Sequence, residues 1–176
     1  GRWFLGLWIL SGRIKDEAGV RLKTALRRVA DEVPVEFRLT ANQNVILANI
    51  ADEDRARVDA ILHEHGVKTE NQTTAIRGAA LSCPALPTCG LALAESERYL
   101  PGLLERIESA CGEIGLAGEE ITIRMTGCPN GCARPYAAEI GFVGKAPGRY
   151  QIWLGGNEAS TRLNRLWKDN VKDPEP

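Results

Sequence analysis

Four of the five cysteines fall in two short pairs. "SCPALPTCG" at 82–90 carries Cys83 and Cys89 as C-x5-C, and "TGCPNGCARP" at 126–135 carries Cys128 and Cys132 as C-x3-C. Clustered in pairs at such spacing, thiolates point to metal ligation. A proline follows Cys83 and Cys128, which stiffens each loop and removes one amide. Gly127 and Gly131 leave the backbone free to wrap closely and to aim N–H groups at sulfur, a contact that stabilises a thiolate-rich anionic site. Structural zinc generally uses tighter knuckles. An iron–sulfur cluster takes four thiolates and tolerates wider loops, because it is larger than one ion. The loops favour a cluster, while two disulfides, zinc and buried free thiols stay open at this point. Cys111 sits apart, on the apolar face of a helical pattern, and reads as core.

The elements that must carry these loops follow from periodicity. "WFLGLWIL" at 3–10 reads as a buried strand, "SGRI" as a turn, and Leu22, Ala25, Leu26 and Val29 mark an amphipathic helix over 21–32. Phe37 and Leu39 alternate with Arg38 and Thr40 as on a half-buried strand, and "VILANI" at 45–50 returns after the polar turn "ANQN". Asp52 is placed to cap a helix running to about His65, with Val58, Ile61 and Leu62 on its apolar face. His63 and His65 fall on a polar helix end and read as solvated. This β-α-β-β-α order indicates a small α+β unit over 1–69.

Residues 66–80 look like a linker, and a second α+β domain is expected over 70–176. Leu100, Leu103, Leu104, Ile107, Cys111 and Ile114 follow helical spacing. "ITIRMT" at 121–126 alternates as a strand and runs straight into the second cysteine pair. Ala133–Ala138 reads as a short helix, and 139–144 with 149–156 as a closing hairpin around "KAPG". "FRLTANQN" at 37–44 and "IRMTGCPN" at 123–130 share apolar-Arg-apolar-Thr-x-x-x-Asn, two strands each ending in a polar loop. "GFVGKAPG" is not a phosphate loop, since Ala146 stands where Ser or Thr is required; Lys145 reads as a turn cation near a cofactor.

Composition bounds the rest. The chain has 176 residues, 44% hydrophobic and 26% charged, with net charge −1, so no bulk attraction to nucleic acid or membrane is expected. Its longest apolar stretch is too short to span a bilayer, and no cleavage site follows it. Five cysteines are too few for a small secreted disulfide scaffold, and the cytoplasm is the default. The chain lacks an initiator Met and stops at "DNVKDPEP", so a piece of a longer protein is expected.

"CPALPTCGLALAESERYLP" followed by "RMTGCPNGCARPYAAEIGFVGKAPGRYQIWLGG" resembles the siroheme-dependent nitrite and sulfite reductase family, whose pattern is C-x5-C, a long gap, then C-x3-C. Here the gap is 38 residues. "FRLTANQN" resembles the family segment before the first pair. The resemblance covers essentially the whole chain and implies a C-terminal portion of the family protein. It implies a ferredoxin-like half-domain over 1–69, then an α+β domain over 70–176 binding one siroheme and one 4Fe–4S cluster, with Cys83, Cys89, Cys128 and Cys132 as cluster ligands and Cys132 bridging to the siroheme iron. Gln43 and Asn130 match siroheme contacts, and Arg38 is added from the strand echo; Arg124 and Arg134 are left undecided. The implied substrate is sulfite, reduced to sulfide, with an NADPH-dependent flavoprotein or ferredoxin as electron donor. The cations that grip sulfite are implied to lie outside this chain, so the segment alone is expected to be inactive. A ferredoxin-dependent nitrite reductase shares the cysteine frame. A cluster-only electron-transfer module and a zinc-stabilised binding module are the rivals from other classes.

Overall fold

The computed structural model describes residues 1–70, 73–157 and 159–172. It divides between Thr73 and Thr74 into two compact units of mixed α+β content. Among the described residues no helix is long and apolar enough to cross a membrane.

In the first unit, β1 (Arg2–Leu7), β4 (Glu36–Leu39) and β5 (Val45–Ala51) form an antiparallel sheet in the order β1-β5-β4. A small hairpin of β2 (Asp16–Glu17) and β3 (Val20–Arg21) precedes helix α1 (Leu22–Glu32). Helix α2 (Arg55–Glu64) follows β5. The apolar stripes of α1 and α2 close over β1 and β5: Ala25, Val29, Val58, Ile61 and Leu62 share one core with Leu7, Val45 and Leu47. Asp16 holds the first turn of α1, accepting the Thr24 N–H at 3.0 Å and the Thr24 hydroxyl at 2.7 Å. These two bonds hold the Asp16 carboxyl below the usual carboxylate range.

Four expectations need correction here. The first strand ends at Leu7, and the chain turns through a 3-10 segment at Leu10–Gly12. The strand carrying Phe37 and Leu39 is not half-buried: Leu39 is 83% exposed and no β4 side chain joins the core cluster, whose strand residues come from β1 and β5. Asp52 caps no helix. Its carboxylate instead accepts the Trp3 indole N–H. His65 is buried, not solvated, and its Nδ1–H donates to the Ile61 carbonyl at 2.8 Å. The cause is the β2–β3 hairpin, which folds onto the end of α2. Arg21 N–H donates to His65 O at 2.9 Å, and a Cβ on Gly66 would meet Gly19 O at 2.1 Å.

The second unit is a five-stranded sheet in the order β10-β9-β8-β7-β6, with β6 (Leu81–Ser82), β7 (Ile123–Thr126), β8 (Ile140–Ala146), β9 (Arg149–Leu154) and β10 (Arg165–Lys172). The pairs β6–β7 and β7–β8 are parallel, and the rest antiparallel. Helix α3 (Ala75–Ala79) lies within the expected linker. Helix α4 (Leu100–Glu113) carries Pro101 in its first turn, where no amide is needed, and buries Leu100, Leu104 and Cys111 against Ile123 and Met125. Strand β7 is buried throughout rather than alternating, because it has a neighbour on each side and cover on both faces. The 133–138 segment, only a 3-10 turn at Pro135–Ala137, lies on the face away from α4. A Cβ on Gly141 would meet Pro135 O at 2.3 Å, and Asn164 Nδ2–H donates to Pro135 O at 2.7 Å.

Candidate functional site

Both cysteine loops spring from neighbouring strand ends of the second unit. The β6–β7 register pairs Leu81 with Arg124 and Ser82 with Met125, and the ladder continues one step as Cys83 N–H donates to Met125 O at 3.1 Å. That sets Cys83 beside Thr126, on the same sheet face as Leu81 and Arg124. The loops are then stitched together through Gly127. Its N–H donates to Cys83 Sγ at 3.2 Å, and its carbonyl accepts the N–H groups of Leu93 and Ala94 at 2.8 and 3.0 Å. A Cβ at residue 127 would stand 2.6 Å from both Ala85 Cβ and Ala94 O, so only glycine allows this approach.

The remaining cysteines are placed by turns. Cys89 N–H donates to Ala85 O at 2.7 Å. Gly131 turns with φ +69° between Cys128 and Cys132, and Arg134 N–H closes the turn on Gly131 O at 2.7 Å. Cys83 and Cys128 are buried, Cys89 is half-buried and Cys132 exposed; all five cysteines are free thiols. Cys83, Ala85 and Ala133 share one small apolar cluster, which ties the base of one loop to the end of the other. Burial pushes the Tyr136 hydroxyl above its usual pKa, and charge on Cys128 adds to this. Among the described residues no group of three or more His, Cys, Asp or Glu is arranged to hold a metal ion. The loops are therefore adjacent, but their sulfurs are not closed round one centre.

The donor set nonetheless suits a thiolate-bound anionic group. One amide already points at a buried sulfur, two further buried polar groups (Arg124 and Thr126) lie on the sheet face beneath, and the Thr126 Oγ1 has no hydrogen-bond partner among the described residues. Arg124 Nη1–H reaches Ala137 O at 3.5 Å. Sequence reasoning leaves Arg124 undecided and notes Thr126 only as part of the strand echo, with no role of its own. Both stand at alternate positions leading into the cysteine loop, and that is the signal the sequence offers.

Asn130 is exposed in the Cys128–Cys132 turn. Gln43 and Arg38 belong to the first unit. Gln43 occupies a left-handed position, φ +63°, in a turn closed by Thr40 N–H to Asn44 O at 3.0 Å and fastened by Ile9 N–H to Asn44 Oδ1 at 2.9 Å. Arg38 lies exposed on β4, paired with Glu36 at 2.6 Å, and chiefly through that bond holds the Glu36 carboxyl below its usual range. The echoed Arg124 is buried, so the two arginines of the repeated pattern differ in setting. Lys145 stands near the end of β8 and pairs with Asp169 of β10 at 2.6 Å.

Three kinds of comparison bear on this arrangement. The family model described as the nitrite/sulfite reductase ferredoxin-like half domain matches residues 1–65. The sulfite reductase (NADPH) hemoprotein beta-component of Staphylococcus haemolyticus is 49% identical over 175 residues, covering 99% of this chain and 30% of that protein. The chain is similar to the nitrite and sulfite reductase family along nearly its whole length. The proteins of the same name from Geobacillus thermodenitrificans and Shewanella sp. strain ANA-3 are 50% and 48% identical, again over 99% of the chain. The chain spans only about 30% of the length of these relatives. In fold it is similar to the NirA protein of Mycobacterium tuberculosis, with a TM-score of 0.70 and 24% identity over 94% of the chain and 31% of that structure.

Proposed function

We propose that this chain is the cluster- and siroheme-binding segment of an assimilatory sulfite reductase hemoprotein, with Cys83, Cys89, Cys128 and Cys132 as the thiolate ligands. The observation that carries the reading is the Gly127 amide, which joins the two cysteine loops by donating to Cys83 Sγ at 3.2 Å. The name shared by relatives at 48–50% identity supports sulfite as the substrate and an NADPH-dependent flavoprotein as the electron donor. When bound, a siroheme and a 4Fe–4S cluster would supply the six-electron reduction of sulfite to sulfide.

The chain's own residues have narrower tasks. Cys132, the exposed thiol, would be the ligand shared with the siroheme. Cys83 and Cys128 anchor the buried side, where low polarity strengthens every N–H to sulfur contact. From the cysteine loop of the second unit, Asn130 would offer an amide donor to a siroheme carboxylate; within the first unit, Gln43 and Arg38 are donors of the same kind, Arg38 once freed from Glu36. Gln43 is held ready by its turn, since Asn44 and Thr40 fix the backbone on either side.

The test is an anaerobic optical spectrum with iron and acid-labile sulfide content, taken after supplying iron, sulfide and siroheme. Four sulfides and five irons per chain with a Soret band are expected. Cluster without haem would shift the reading to a cluster-only electron carrier, and zinc without sulfide would overturn it.

A further inference from the structure

Thr126 ends strand β7 one residue before the Gly127–Cys128 step. It is 1% exposed, and its hydroxyl has no hydrogen-bond partner among the described residues. A hydroxyl in such a place is costly to bury, and a buried polar group left unpaired calls for an explanation. Shape does not supply one. Valine is nearly isosteric, is at least as good in a strand, and would match Val143, the register partner across the sheet, without an orphaned donor. The surroundings do supply one. Register sets Cys83 at the same level on the neighbouring strand, on the same face, and the next residue already gives its N–H to the Cys83 sulfur. Arg124, buried two residues earlier on that face, adds fixed positive charge beneath the loops.

We infer that the Thr126 hydroxyl is a donor to a sulfur of the thiolate-ligated cluster, and that it raises the cluster's reduction potential. This rests on the proposal that the cysteine loops hold an iron–sulfur cluster. A donor on sulfur stabilises the more negative, reduced state, so its loss lowers the potential. In the cluster-free chain the same hydroxyl is an unpaired burden, so its loss there costs no stability.

The experiment uses the whole chain, reconstituted anaerobically with ferrous iron and sulfide, as the parent, Thr126→Val and Thr126→Ser. Iron and sulfide content come first, then a reductive titration followed by electron paramagnetic resonance, then thermal melting of the cluster-free proteins. Thr126→Val is expected to bind cluster but to show at least a threefold smaller ratio of reduced to oxidised cluster at fixed poise. A tenfold change would correspond to about 59 mV for a one-electron couple. Thr126→Ser is expected to stay near the parent, and cluster-free Thr126→Val to melt no lower than the parent. An unchanged potential in Thr126→Val, an equal shift in Thr126→Ser, or a lower melting point for cluster-free Thr126→Val overturns the inference and leaves the cysteine reading intact. A parent chain that takes up no sulfide overturns both.

Discussion

At the scale of single residues, glycines separate space from conformation. Gly127 has no room for a methyl group: the obstacles are Ala94 O and Ala85 Cβ, each 2.6 Å from where it would go, and one of them is backbone. Gly127→Ala must therefore push the two cysteine loops apart. A loss of about 1–3 kcal/mol in a denaturant melt is expected, typical of overpacking, together with reduced sulfide uptake. Gly102, in the first turn of α4, has nothing within 4 Å of where a methyl group would stand and no left-handed backbone. Gly102→Ala should stabilise by roughly 0.5–1 kcal/mol, because only backbone entropy changes. What is legible here is chemical type at fixed spacing. Four thiols in Pro/Gly loops point to ligation whatever surrounds them, and Gly127 between strand and cysteine announces a close approach. Thr126 is not legible, because a strand threonine looks the same whether its hydroxyl meets water, carbonyl or nothing. His65 misleads for a related reason: its neighbours in sequence are polar, but what buries it is a hairpin more than forty residues earlier.

At the scale of elements, periodicity tells most where one face meets one core. Helices α1, α2 and α4 are readable because their stripes are continuous. Strand β10 escapes such a reading: nearly all of "RLWKDNVK" is exposed, and it is a strand only because β9 offers it an edge with two register shifts. Helix α3 escapes it through shortness, yet it is tied firmly. Arg77 meets Glu108 of α4 in a two-pronged pair, with Nε 3.0–3.1 Å from both carboxylate oxygens and Nη2 at 2.9 Å from Oε2, and Thr74 donates its hydroxyl to the same group. Burial pushes the Glu108 carboxyl up, but the bonds from Arg77 and Thr74 and the Arg77 charge outweigh it, so the group titrates below its ordinary value of 4.5. A depressed folded pKa means stability that is fully present above the unfolded pKa and lost as pH falls through the folded one. Unfolding free energy measured from pH 6 down to 3 should therefore drop, and Glu108→Gln should flatten that drop. At pH 7 the same substitution should cost about 1 kcal/mol, since both side chains remain about a quarter exposed. A parallel pH profile for the variant would show that the pair does not couple α3 to α4.

For the whole molecule, the question is which parts of a reaction a segment of this size can hold. The chain spans about 30% of its relatives' length and carries both cysteine pairs within its second unit. The proposed ligands of one cluster thus lie within one unit, so cluster uptake is a fair expectation of the chain by itself. Reduction of sulfite asks for more. The substrate is a small oxyanion, and holding it while protons reach its oxygens needs several cations converging on one open face. This chain has 22 basic against 23 acidic residues, and much of that charge is spent within its own surface. Arg28 meets Glu32 and Glu64, Arg38 meets Glu36, Arg77 meets Glu108, and Lys145 meets Asp169. A net charge of −1 also gives no bulk attraction for an anion. The reconstituted chain, supplied with reduced viologen and sulfite, is therefore expected to yield sulfide no faster than a protein-free control. Its cluster should still accept electrons from the same donor in a spectrum taken beside the assay. Sulfide release at a rate comparable to that of a full-length relative would mean that the oxyanion-gripping cations are among the residues described, and Arg124 and Arg134, flanking the cysteine loop, would then be the first to replace.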